Sequence, residues 1–167
     1  MAIIGKSLDF EATEIDELLE MKYGGQRTFP VLAALYPGLD LTKPFHEDHV
    51  FPRSRFTTRH LMAAGVAPAD IDHLKSLVDL LPNLQLLGGI PNIEKSAQLP
   101  ADWLNSAFAD TASRRQYEID NDLTSVPPTL SAFADFFESR KAALRMRLIQ
   151  HLGVRVDPSD PDGATPP

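Results

Sequence analysis

The residues with chemistry to offer stand in two short blocks. The first is Phe45-His46-Glu47-Asp48-His49-Val50-Phe51-Pro52-Arg53-Ser54, in which a carboxylate and an imidazole sit side by side at the start of a short apolar run that ends in proline. The second is Leu81-Pro82-Asn83-Leu84-Gln85-Leu86-Leu87, followed by Pro91-Asn92-Ile93-Glu94-Lys95-Ser96. The candidates among them are one imidazole, His49, one carboxylate, Asp48, and two asparagine amides, Asn83 and Asn92. Phosphodiester hydrolysis needs a nucleophile, neutralisation of growing charge and help for the leaving oxygen. A neutral imidazole can take a proton from water, which makes His49 the candidate base. A hard divalent cation takes oxygen ligands, which makes Asp48 and Asn92 the candidate ligands.

These groups need elements to position them. Residues 45–52 read as a short strand leading into a loop, and Leu84 to Leu87 as a buried strand, since a four-residue, largely apolar run between Pro82-Asn83 and Gly88-Gly89 is too short for a helix. Pro91 is placed to open a helix. Neighbouring side chains on a strand point to opposite faces. Asp48 and His49 therefore share one phosphate only if the pair lies at a strand end or a bend, which Pro52 favours.

The surrounding chain reads as scaffold. Residues 11–22 carry Ile15, Leu18, Leu19 and Met21 at helical spacing, stopped by Tyr23-Gly24-Gly25. Thr28 is placed to cap a second helix, broken at Pro37-Gly38. Thr57 or Thr58 caps a third, closed by Gly65, and Pro68-Ala69-Asp70 starts a fourth through Ile71, Leu74, Leu77 and Val78. Pro100 begins another, with Trp103 in its core-facing run. Residues 111–128 are ambiguous. Phe133, Phe137, Leu144, Leu148 and Leu152 form the stripe of a long helix from Thr129, with Gly153 as C-cap. The segment 154–167, with four prolines and three aspartates, reads as a disordered tail on a single domain spanning 1–153.

Composition narrows the chemistry. The 167 residues include no cysteine, which removes disulfides, thiol nucleophiles and zinc ribbons. No apolar run approaches the ~20 residues a membrane span needs, and the first residues are too soon polar for a signal peptide. A cytoplasmic protein is the expectation. A net charge of −7 argues against a polycationic coat for nucleic acid, though a metal site and a local basic face can hold phosphate on an acidic protein.

The blocks carry a resemblance. Asp48-His49-Val50-Phe51-Pro52, Asn83-Leu84-Gln85-Leu86 and Asn92-Ile93-Glu94-Lys95-Ser96 resemble the HNH endonuclease motif of the ββα-metal fold. Asn83 and Asn92 are nine positions apart, as in the HNH domains of CRISPR effector nucleases. With Lys22-Tyr23-Gly24-Gly25, the Phe45–Phe56 block and Phe133-Ala134-Asp135-Phe136-Phe137-Glu138-Ser139-Arg140, the chain is similar over residues 15–152 to the C-terminal HNH domain of GmrSD-type restriction proteins. The resemblance implies a mostly helical α+β fold, with a ββα-metal core among inserted and flanking helices. It implies metal-dependent DNA cleavage with Mg²⁺ or Mn²⁺ in restriction of foreign or modified DNA, leaving a 5′-phosphate and a 3′-hydroxyl. Asp48 and Asn92 would be metal ligands and His49 the general base. Asn83 would brace the loop carrying His49, and Lys95 would face phosphate or pin its helix. Relatives usually carry an N-terminal nucleotide-hydrolysing domain. No phosphate-binding Gly-x-x-x-x-Gly-Lys loop is present in this sequence, so a separate recognition domain or subunit is expected. Two features depart from compact HNH domains: the 33 residues between His49 and Asn83, and the lack of paired cysteines.

Several residues keep alternatives. His46 is an auxiliary ligand, a phosphate contact or a structural polar group, and a His46/His49 zinc pair lacks further ligands nearby. Glu47 is expected in solvent. Arg53, Arg55 and Arg59 either meet DNA phosphates or simply face water. The run Arg140, Lys141, Arg145 and Arg147 is a second DNA face or a solvated helix surface. The chain as a whole has two alternatives to DNA cleavage: a catalytically silent HNH-like module that binds nucleic acid or protein, and a nuclease directed at RNA.

Overall fold

The computed structural model describes residues 10–153, so the expected tail at 154–167 lies outside the described residues. Among the described residues, eight α-helices and one antiparallel two-stranded sheet follow in order: α1 (Ala12–Leu19), α2 (Thr28–Leu35), β1 (Phe45–His49), α3 (Thr58–Ala63), α4 (Ile71–Leu77), β2 (Leu84–Gly88), α5 (Gly89–Lys95), α6 (Pro100–Ala107), α7 (Thr111–Asp120) and α8 (Phe133–Leu152). The class is α+β and mostly helical.

The sheet is a hairpin with a long excursion between its strands. His46 pairs with Leu87, Asp48 with Gln85 and His49 with Leu84. Leu84 and Leu86 face α1, α2 and the end of α8, where Ile15, Leu19, Leu32, Leu35, Leu144 and Leu148 are buried. Leu87 faces Trp103 and Leu104. Both faces of β2 are thus covered, which is why its leucines do not alternate with solvent-facing residues and Gln85 is buried among them. Just beyond β1, Val50 and Phe51 enter a second core with Phe56, Leu61, Leu74, Val78, Phe133, Phe136 and Phe137. The inserted α3 and α4 supply one side of that core and α8 the other. The long helix therefore spans both hydrophobic clusters and sets the sheet between them.

Some local expectations change. Thr28 is the first residue of α2 rather than its cap, and its hydroxyl donates to the Lys22 carbonyl at 2.6 Å. Thr57 does cap α3, accepting from the His60 N–H. Helix α5 begins two residues before Pro91. Of the ambiguous 111–128 segment, Thr111–Asp120 is helical, and Asp110 caps it, accepting from the Ser113 N–H at 2.8 Å. The late basic run is not a free cationic face. Arg140 is buried and donates to the carbonyls of Pro82 and Leu84, while Lys141, Arg145 and Arg147 pair with Glu20, Asp16 and Asp122.

Candidate active site around the end of strand β1

Strand β1 ends where its chemistry begins. Asp48 and His49 are its last two residues, and the chain bends at Val50. As the alternation of a strand dictates, the two side chains have separate surroundings.

On the Asp48 side stands α5. Lys95, at the end of this helix, is fully buried. Its ammonium lies 3.0 Å from Asp48 Oδ2 and donates to the His49 carbonyl at 2.6 Å. Of the two roles expected for Lys95, facing phosphate or pinning its helix, this geometry carries the pin. Burial pushes the Lys95 pKa below the ordinary lysine value, and the Asp48 carboxylate opposes that shift. Gln85, opposite Asp48 in the register, donates its side-chain N–H to Asp48 Oδ2 at 2.8 Å. Both partners act on Oδ2, so Oδ1 is the oxygen left for a ligand. Asn92 is half-buried one turn before Lys95 on α5. His46 is exposed, and an added Cβ on Gly89 would come within 3.8 Å of its Nε2, so the first residue of α5 lies close beside it.

The donors on this side are two hard oxygens, from a carboxylate and an amide, and one borderline imidazole nitrogen. Gln85 Oε1 adds a specific sign, being a buried oxygen with no hydrogen-bond donor, next to an acidic side chain. A cation or its water would satisfy such an acceptor. The residues present therefore fit an oxygen-ligated divalent ion.

On the His49 side stand the segment 21–25 and the end of the insertion. His49 Nε2 lies 2.8 Å from Asp79 Oδ1, and the Tyr23 ring packs on the imidazole with centroids 4.6 Å apart. Arg53 Nε approaches the same Asp79 oxygen at 3.5 Å, from a side chain that is 66% exposed. The segment carrying Tyr23 is itself pinned. Tyr23 N–H donates to the Asp79 carbonyl, Leu81 N–H donates to the Met21 carbonyl, and Lys22 bridges Leu80. Gly24 takes a positive φ of 71°, where its N–H donates to the Glu47 carboxylate at 2.8 Å. Glu47, expected in solvent, is half-buried by this contact. At Gly25 a Cβ would lie 2.7 Å from Thr28 Oγ1, so the turn leaves no room for a side chain.

Asn83 lies behind both sides, fully buried. Its Oδ1 accepts from Phe51 N–H at 2.9 Å, and its Nδ2 donates to Phe51 O at 3.1 Å and Val78 O at 2.8 Å. Its own carbonyl accepts from Val50 N–H at 2.7 Å. These are the side-chain to backbone bonds expected of it. The bond to Val78, which fixes the residue before Asp79, was not expected.

Of the basic candidates, Arg53 is exposed beside His49. Arg55 is half-buried and donates to the Ala97 carbonyl at 3.0 Å, just past α5. Asp79 and Gln85 are the two polar residues that sequence reasoning missed. Gln85 carried a usable signal, a polar residue inside a buried apolar run. Asp79, 30 residues from His49, carried none.

Comparison of the sequence with protein-family models and with curated proteins gives no match.

Proposed function

We propose that this protein is a metal-dependent endonuclease of the HNH type, hydrolysing phosphodiester bonds of DNA by nicking or double-strand cleavage. The observation that carries the proposal is the strand–strand–helix arrangement, in which β1 presents Asp48 and His49 at its end while the helix after β2 returns Lys95 to both of them and carries Asn92 one turn earlier. A ββα-metal core is the fold reading that goes with it. Restriction of foreign or modified DNA, with a separate nucleotide-hydrolysing or recognition domain or subunit, is the biological setting proposed.

Asp48 Oδ1 and the Asn92 amide would hold Mg²⁺ or Mn²⁺, with His46 as an auxiliary ligand or phosphate contact. Such an ion, when bound, neutralises phosphate charge and assists the leaving oxygen. The chain's own residues do the rest. Neutral His49 takes a proton from a water molecule as the water oxygen forms its bond to phosphorus. The bond from phosphorus to the 3′-oxygen breaks, and that oxygen takes a proton from solvent water. His49 then returns its proton to solvent, leaving a 5′-phosphate and a 3′-hydroxyl. Lys95 fixes the Asp48 carboxylate and the His49 backbone. Arg53 offers an exposed cation to a neighbouring phosphate, and Arg55 borders the same region from its tie to Ala97.

A second reading, a catalytically silent binding module, draws on the buried ammonium, which already neutralises Asp48. Calorimetric titration of Mn²⁺ in the presence of duplex DNA separates the two. Saturable binding that Asp48→Ala abolishes supports the nuclease. Absence of binding favours the silent module. Competition between DNA and RNA in the cleavage reaction tests the third possibility, an RNA-directed nuclease.

A further inference from the structure

We propose that Asp79 is a positioning residue for His49, supplied by the helical insertion between the two strands. The inference rests on the nuclease reading of the site. It starts from the 2.8 Å contact between His49 Nε2 and Asp79 Oδ1. A carboxylate only accepts hydrogen bonds, so the imidazole proton sits on Nε2. That leaves Nδ1 as the nitrogen with a lone pair, the one able to take a proton from water.

The pair is held from four directions. Asn83 ties the chain on both sides of it through one buried amide: Phe51, two residues after His49, and Val78, one residue before Asp79. Tyr23 N–H donates to the Asp79 carbonyl, and the Tyr23 ring covers the imidazole. Arg53 approaches the same Asp79 oxygen, Oδ1, at 3.5 Å. A carboxylate placed only to stabilise the fold would not need its own backbone, its partner's ring and its partner's loop fixed together. The arrangement sets both the tautomer and the ring plane of His49, as outer partners do for histidines in other reactive sites.

It also gives the long insertion a purpose. A direct link from β1 to β2 would bring no side chain to this face of His49. The excursion through α3 and α4 returns at Val78 and Asp79, immediately before Asn83 and β2. The segment that departs most from a compact hairpin is the one that delivers the contact.

The test uses the full chain, ¹⁵N-labelled, at mildly alkaline pH where a free imidazole is neutral. The proposal predicts that His49, assigned by its loss in His49→Ala, shows a protonated Nε2 and an unprotonated Nδ1. In Asp79→Ala the two nitrogens move towards the mixed pattern of a free imidazole. In DNA cleavage, Asp79→Ala lowers kcat by about 10–100-fold with KM nearly unchanged, and added formate restores part of the rate. Asp79→Asn keeps the shape of the site and removes the charge, so it reads the same effect should the alanine variant fold poorly. An unchanged nitrogen pattern in both Asp79 variants overturns the proposal, as does an unchanged kcat. A wild type with the expected nitrogen pattern that cuts no nucleic acid overturns the nuclease reading, and with it the catalytic half of the inference.

Discussion

On one side of strand β1, Asp48 is closed in. Its Oδ2 is shared by the buried Lys95 ammonium and the Gln85 amide, and that lysine reaches past it to the backbone of the next residue. On the other side, His49 is held by groups that themselves reach the surface: Asp79, Arg53 and the Tyr23 ring, the last 46% exposed. Adjacent residues thus receive different treatment. The carboxylate is fixed by groups that cannot leave without exposing a buried charge. The imidazole is oriented by groups that reach the surface, although the His49 side chain is no more exposed than that of Asp48, 12% against 13%. A hydrolytic site needs one charge that does not move and one base held in a fixed orientation.

The difference can be broken experimentally, first on the closed side. Lys95→Met leaves the half-buried Asp48 and the His49 carbonyl without their cation, and unfolding in urea should show a loss of about 3–5 kcal/mol. A neutral effect would mean that the Asp48 side is no more rigid than the His49 side. Asn83→Ala strands Phe51 N–H and the carbonyls of Phe51 and Val78, at a cost of about 2–3 kcal/mol in the same measurement. It should also slow cleavage in the fraction that remains folded, because it unties both partners of the His49–Asp79 pair. Arg53→Ala, on the open side, should leave stability within about 0.5 kcal/mol, since its contact with Asp79 is long and solvent-screened. Its effect belongs in DNA binding, where the slope of log affinity against log salt should fall by about 1.

Much of this was legible in the sequence, for reasons that can be named. Leu84 to Leu87 announced a buried strand because both faces of β2 are covered, and the Phe133–Leu148 stripe announced the long helix because its apolar period is regular. Asp48, His49, Asn83 and Asn92 stood out by type and spacing. The contacts that join distant segments were not legible. Arg145 and Lys141 looked like a free basic face because their partners, Asp16 and Glu20, lie more than a hundred residues away. Thr28 looked like a helix cap because the carbonyl it bonds belongs to a turn whose path depends on glycines at 24 and 25. Asp79 follows a helix as many surface aspartates do. Only the return of the insertion against Tyr23 brings it to His49.

The most direct measurement is conversion of supercoiled plasmid to open circle in Mg²⁺ or Mn²⁺, comparing wild type with His49→Ala. The account predicts that wild type cuts, that EDTA stops it, and that His49→Ala is slower by about 10²–10⁴-fold while unfolding at nearly the same urea concentration. Equal cleavage by both proteins would contradict His49 as the base, and cleavage by neither, with Mn²⁺ bound and duplex DNA engaged, would contradict the nuclease.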